Sequence, residues 1–147
     1  MTPFTRLVRE PIDPTALLRA VANPANGAVL LFLGVVREVN DGRAVTGIEY
    51  SAYESMAARE LANIAAEASE RFGTPGVAIE HRLGELALEE ASVAIVVAHP
   101  RRDGAYAASR WMIEELKRRV PIWKLEHYAD GTREWVDPTR VAAASVT

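Results

Sequence analysis

The 147-residue sequence contains no cysteine. That excludes disulfides, zinc–thiolate sites, and any thiol nucleophile or persulfide carried by the chain itself. Sulfur chemistry, if it occurs here, needs a partner that brings the sulfur. Long hydrophobic runs are missing too. The longest uncharged apolar stretches, "GAVLLFLGVV" (27–36) and "ASVAIVVA" (91–98), fall well short of the roughly 20 residues a membrane span requires. The opening "MTPFTRLVREPIDP" carries charges where a secretory signal needs its apolar core, so a cytoplasmic location with no membrane role is expected. An excess of basic charge is also absent. The formal net charge is −3 and the pI about 5.7, which argues against nucleic acid as a partner. Interleaved aromatics that could stack bases are lacking as well. The three histidines, His81, His99 and His127, show no ligand-like spacing, and no nucleotide, P-loop or zinc-protease motif is present. No metal or cofactor is expected.

What is present fits one domain over residues 1–147, with a loosely ordered tail after about residue 137. Apolar residues make up 49% and charged residues 25%, the balance of a globular protein. Asp13-Pro14 reads as the cap and first position of a short helix. "GAVLLFLGVV" reads as a buried strand, and "NDG" at 40–42 turns it into a hairpin with "AVTGIEYSAY". Helical spacing of Met56, Leu61, Ile64, Ala65, Ala68 and Phe72, stopped by Gly73, predicts a long helix over 54–72. "VAIEHRLG" and "SVAIVVA" are the next strands. A second long helix runs from about Asp103 to Arg119, burying Ala105, Ala108, Met112 and Leu116, and Pro121 ends it. "IWKLEHYA" and "TREWV" then form a hairpin around Asp130-Gly131. The order predicts an α+β fold with a mostly antiparallel sheet and two long helices.

Positive charge gathers locally in this acidic chain. In "KRRVPIWKLE", Arg118 and Arg119 have Glu114 and Glu115 four residues earlier, the spacing of ordinary surface pairs worth about 0.2–0.5 kcal/mol. Lys117 instead has Ile113 at that spacing. Lys124 shares a strand face with Ile122, Glu126 and Tyr128, opposite Trp123 and Leu125. A lysine so placed, near other cations, is a candidate acid or base, although snorkelling along the core rim explains it equally well. Arg37 follows a strand, and Arg101 and Arg102 precede a helix N-terminus, positions that suit an anion. His81, inside a strand, reads as a packed core residue.

Taken in order, "GVVREVNDG", "VAIEHRLGEL" and "ELKRRVPIWKLE…DGTREWV" resemble the catalytic subunit of molybdopterin synthase, over about residues 27–136. The resemblance implies an α/β-hammerhead type of fold. It implies a sulfurtransferase of molybdenum cofactor biosynthesis that converts cyclic pyranopterin monophosphate to molybdopterin. The sulfur would come from the Gly-Gly thiocarboxylate tail of a small ubiquitin-like, MoaD-like carrier, and a homodimer would form the centre of a heterotetramer. Lys117 and Lys124 match the family's essential lysines. Arg37 matches a substrate-binding arginine, with Val35, Val36, Leu125 and Glu126 in substrate-contacting stretches. Arg102 matches the arginine of the family's Ser-x-His-Arg stretch. The histidine's place is taken by Arg101, with His99 two positions earlier, and either could assume its role. Arg140 lies near a basic position that reaches the partner's site. The alternative reading is a non-catalytic homologue that binds the carrier tail or an anion without turnover.

Overall fold

The computed structural model describes residues 2–136; Arg140 and the tail after 137 lie outside them. Two sheets and three helices follow in the order β1 (Phe4–Val8), α1 (Pro14–Ala20), β2 (Ala28–Val35), β3 (Val39–Asn40), β4 (Arg43–Ala52), α2 (Glu54–Phe72), β5 (Gly76–Arg82), β6 (Gly84–Ala87), β7 (Ala91–His99), α3 (Arg102–Arg119), β8 (Ile122–Tyr128) and β9 (Arg133–Val136). This is the α+β class expected. Both long helices start and stop within a residue of their predicted limits.

The first sheet has the order β1-β5-β7-β2, and the second runs β3-β4-β8-β9 with β6 also paired to β4. All pairings are antiparallel except β1 with β5. The predicted hairpin between 27–36 and the following strand does not form. β2 pairs with β7, while the "NDG" turn joins the short β3 to β4. The reason is local. Asp41 (φ 49°) and Gly42 (φ 75°) form a two-residue turn with both central residues at positive φ, which pairs Asn40 with Arg43 at once. β2 then needs a different neighbour, and the uncharged β7 buries its other edge. β1 and β6 were not legible in the sequence. β1 shows the partial alternation of an edge strand, and β6 is four residues long.

Helices α2 and α3 cover one face of the first sheet, α2 over β1 and β5, α3 over β7 and β2. Between them lie Leu61, Ile64, Ile79, Ile95 and Met112, all fully buried, each side chain contributing about 1.5–3 kcal/mol. α1, capped by Asp13 through the N–H groups of Thr15 and Ala16, closes the opposite face with Leu17 and Val21 over Ala78, Ala94 and Val96. Arg119 does not rely on its expected i−4 partner. It reaches across to α2, bonding Glu60 at 3.0 Å and Glu67 at 2.7 Å, with Glu115 at 3.8 Å. Arg118 pairs with Glu115 instead, and Glu114 with Arg110.

His99 locks the entry to α3. Its Nε2 donates to the Phe72 carbonyl at 2.8 Å and its Nδ1 accepts from the Arg101 N–H at 2.9 Å. A Cβ on Gly104 would lie 2.2 Å from the imidazole. Gly104→Ala is therefore expected to destabilise the protein by about 1–3 kcal/mol, read as a lowered urea midpoint with an unchanged slope. Ala107→Gly, at an exposed position of the same helix, should cost about 1 kcal/mol or less.

Candidate functional site

The two sheets meet along a cleft of about 420 Å³ lined by β2, β4, β7, β8 and the last turns of α3. Its position follows from the reversal at Pro121. Helix α3 stops because proline cannot continue it. The Val120 N–H closes the last turn on the Leu116 carbonyl at 3.0 Å, and the Ile122 N–H turns back to the Val120 carbonyl at 2.9 Å. Val120 and Ile122 are both buried, so the reversal is anchored on each side.

The consequence is that Lys117, from the helix, and Lys124, from the strand, line one cleft with Arg37, Val35, Val36 and Glu126. Three of the expected residues are elsewhere. Leu125 points to the opposite sheet face, as its place in the strand alternation requires. Arg101 and Arg102 line a separate recess with Gly27, Pro100 and Asp103 at the start of α3. At ~1.5 Å per residue, Arg102 and Lys117 sit roughly 22 Å apart along one helix. His99, the other candidate for the histidine's role, has both ring nitrogens engaged in the lock described above.

Lys124 is the electrostatic centre. Its pKa is lowered, first by burial, then by the nearby charges of Lys117 and Arg37, against the opposing pull of Glu126 and Asp41. The two cations thus lie close enough to act on it. Its Nζ is 3.8 Å from Glu126 Oε1. Glu126 is fully buried, an arrangement tolerated because Asn40 Nδ2 donates to the same oxygen at 2.6 Å. Glu126 Oε2 makes no hydrogen bond among the described residues. Asn40 also accepts from Arg37 at 3.4 Å, so the turn that paired β3 with β4 places a bridge between guanidinium and carboxylate. Sequence reasoning missed Asn40, and the positive-φ Asp-Gly turn beside it was the signal that could have found it.

The remaining lining is uncharged. Phe32, Val93, Ile113, Leu116 and Val120 supply apolar walls. Tyr50 stands opposite Lys124 in the β4–β8 register, its phenol pKa raised by burial. His81 packs edge-on to Tyr50 at 5.4 Å, and its Nδ1 donates to the Arg82 carbonyl. Burial pushes its pKa down to about 4, so it is neutral. Arg37, Lys117 and Lys124 face Asp41 and Glu126, which leaves a local excess of cations in the cleft of an acidic chain. Such a cleft suits a flat, partly apolar anion. Among the described residues, no cluster of histidines and carboxylates is placed to hold a metal, and no helix is long and apolar enough to cross a membrane.

Comparison with known proteins gives one answer. The MoaE protein family matches residues 7–119. The molybdopterin synthase catalytic subunit of Halalkalibacterium halodurans is 42% identical over 88% of this chain and 83% of its own length. That of Emericella nidulans is 41% identical over 84% of this chain, and the match spans 64% of the longer fungal protein. Among solved structures, molybdopterin synthase from Staphylococcus aureus superposes with a TM-score of 0.82 at 39% identity, covering 88% of this chain and 94% of that one. The Helicobacter pylori complex of subunits 1 and 2 of molybdopterin-converting factor contains a chain of the same fold, with TM-score 0.70 at 23% identity over 90% and 89% of the two chains.

Two titrations follow from the geometry. His81 is neutral when folded and takes a proton when unfolded below its ordinary value of 6.5. The unfolded state therefore binds more protons between pH 6.5 and about 4, and stability falls as pH drops through that window. The loss is on the order of 3 kcal/mol at most, and His81→Gln should flatten that part of a urea-denaturation series. At Lys124 the Glu126 carboxylate raises the amine's pKa against the other influences. Glu126→Gln should therefore lower it further, seen by NMR titration of isotopically methylated lysines.

Proposed function

Because the chain belongs to the MoaE family, we propose that it is the catalytic subunit of a molybdopterin synthase. The observation that carries this reading is the convergence of Lys117, Lys124 and Arg37 on one cleft, with Lys124 desolvated between the other two. The substrate is cyclic pyranopterin monophosphate. The sulfur comes from the C-terminal thiocarboxylate of a small ubiquitin-like carrier whose Gly-Gly tail enters the cleft. The reaction is cytoplasmic, as the family's pathway implies. A cysteine-free chain fits this division of labour, since the carrier supplies each sulfur atom.

The residues act as follows. The thiocarboxylate sulfur attacks a substrate carbon that carries oxygen, and the C–S bond forms as the C–O bond there breaks, the oxygen leaving as water or staying on the phosphate. Water then cleaves the acyl–sulfur bond, returning the carrier as a carboxylate and leaving sulfur on the pterin. A second carrier repeats the step to complete the dithiolene. Lys117 and Arg37 hold the anionic groups in place. Lys124, whose pKa is lowered, reaches its neutral form closer to physiological pH than an ordinary lysine, so it can take a proton from the attacking water and return it to the leaving group. Glu126 Oε2, buried and without a hydrogen bond among the described residues, is the acceptor for a pterin N–H. Val35 and Val36 form the wall at the strand end.

Arg101 and Arg102 bind the substrate's phosphate from a second copy of the chain. A rigid helix separates them from the lysines of their own chain, so a shared ligand requires a homodimer, flanked by two carriers in a heterotetramer. The carrier partnership draws support from the Helicobacter pylori assembly, which is a complex of two subunits.

Reconstitution with a thiocarboxylated carrier and the cyclic pterin tests the activity, with the dithiolene product measured. Lys117→Ala and Lys124→Ala should lose about 100-fold or more, while Arg118→Ala stays within about twofold because its surface pair is worth little. Tight carrier binding with no product from the wild type would leave the non-catalytic reading standing. Mixing Lys117→Ala chains with Arg102→Ala chains should restore product, because one of the two sites in the hybrid is then intact. No restoration would place all the cations of a site on one chain.

A further inference from the structure

Glu126 is a buried carboxylate with a lysine on the same strand face two residues away, yet the two do not close on each other. Lys124 Nζ stands 3.8 Å from Glu126 Oε1, beyond the about 2.7–2.9 Å of a charge-assisted hydrogen bond. The shorter contact to that oxygen, 2.6 Å, comes from the amide nitrogen of Asn40. A neutral donor thus holds the place that an ammonium would take with greater strength.

The place of Asn40 follows from the turn beside it. β3 is two residues long, and strand alternation sends Val39 outward and Asn40 inward. Val39 is 50% exposed, whereas Asn40 lines the cleft. Pairing with Arg43 across Asp41 and Gly42, both at positive φ, fixes the backbone. β4 carries this hairpin to β8, where Ile48 stands opposite Glu126 and Tyr50 opposite Lys124. The neighbours also fix which way the amide faces. Arg37 Nη2 donates to Asn40 Oδ1 at 3.4 Å, so the amide oxygen meets a cation and the amide nitrogen an anion. Reversed, it would set oxygen against carboxylate and N–H against guanidinium N–H. Aspartate has the same shape but no donor when ionised, and leucine offers neither group.

We propose that Asn40 is a positioning residue: its amide holds Glu126 Oε1, keeps the carboxylate from closing on the Lys124 ammonium, and leaves Oε2 for the ligand. This inference rests on the reading that Lys124 and Glu126 act on a substrate in this cleft. Its force comes from the groups around the pair. Lys117 of α3 and Arg37 of the loop after β2 disfavour the ammonium, while Asp41 of the turn and Glu126 favour it. Glu126 has Tyr50 of β4 and Tyr128 of its own strand within its field. Glu134 of β9 lies opposite in register, paired with Arg43, whose guanidinium stacks on the Tyr128 ring at 3.4 Å. Among the described residues Glu126 alone stands within 4 Å of the Lys124 amine as an acid. A small movement of this one carboxylate therefore changes the amine more than any other.

NMR titration of methylated lysines reads the amine without substrate, so failure of this proposal is separable from failure of the enzymatic reading. Asn40→Ala should raise the Lys124 pKa by about 1 pH unit, because the released carboxylate closes on the ammonium. With Glu126→Gln already in place, the same substitution should change nothing. Asn40→Asp, an isostere compatible with the turn, should raise the pKa as well, and Val39→Ala on the same short strand should not. In the reconstituted reaction, kcat of Asn40→Ala should fall about tenfold at neutral pH, since a pKa higher by about 1 makes the neutral amine about ten times rarer, and should recover toward higher pH. A Lys124 pKa that does not rise in folded Asn40→Ala and Asn40→Asp chains would overturn the proposal. So would a rise that persists in the Glu126→Gln background, or an equal rise in Val39→Ala, since either makes the effect one of hairpin geometry. A kcat loss of the same size at every pH would reduce Asn40 to a structural role.

Discussion

Helix α3 and strand β8 meet at Pro121, and the cleft exists because the chain cannot continue as a helix there. The reversal is held from several directions. Val120 and Ile122 are buried on either side of it, the last helical turn closes on Leu116, and the Pro121 carbonyl accepts from the Tyr53 N–H at 3.2 Å, at the start of α2. One residue therefore fixes the end of the helix bearing Lys117, the start of the strand bearing Lys124, and the docking of the neighbouring helix. Moving any of these would separate the two lysines.

Around that reversal the electrostatics are graded. The exposed arginines of the surface, such as Arg110 and Arg118, sit in pairs with glutamates one turn away. At the cleft the balance changes at one residue, Lys124, which burial shields from water, while Arg37 and Lys117 beside it stay exposed. Its nearest carboxylate is shared with Asn40, at a distance too long for a strong ion pair. The balance lowers the amine's pKa below that of an ordinary lysine while leaving the positive charges of Arg37 and Lys117 beside it. The overall acidity of the chain is no obstacle, because the neighbouring charges act at short range while distant ones are screened by salt.

Much of this was legible in the residues. The two long helices announce themselves by 3.6-residue periodicity and by Gly73 and Pro121 at their ends. The alternation of Ile122, Lys124, Glu126 and Tyr128 correctly set Lys124 apart from Trp123 and Leu125. What could not be read was non-local. β2 and β7 are both uncharged runs, and nothing in either names the other as its partner. The assumption that neighbours in sequence pair gave the wrong hairpin. The same limit applied to the cations. Spacing placed Arg101 and Arg102 at a helix start and Lys117 at a helix end, and only the straightness of α3 turns that into two distant places on one chain. The Asn40–Glu126 hydrogen bond spans 86 residues, beyond the reach of any local pattern.

The helical layer is clamped at both ends. At one, His99 ties the last carbonyl of α2 to the loop that starts α3; at the other, the Tyr53–Pro121 hydrogen bond ties the start of α2 to the end of α3. Two helices fastened head and foot cannot slide past one another, and the sheet beneath them is packed with side chains of no measurable exposure. Mechanically the cleft is a vice with one fixed jaw. Its other jaw is the stretch from Val36 through the short β3, where Arg37 and Asp41 stand exposed on a hairpin of two paired residues per strand. The guanidinium thus stands on an arm held by two residue pairs, whereas both lysines stand on elements fastened at the Pro121 reversal.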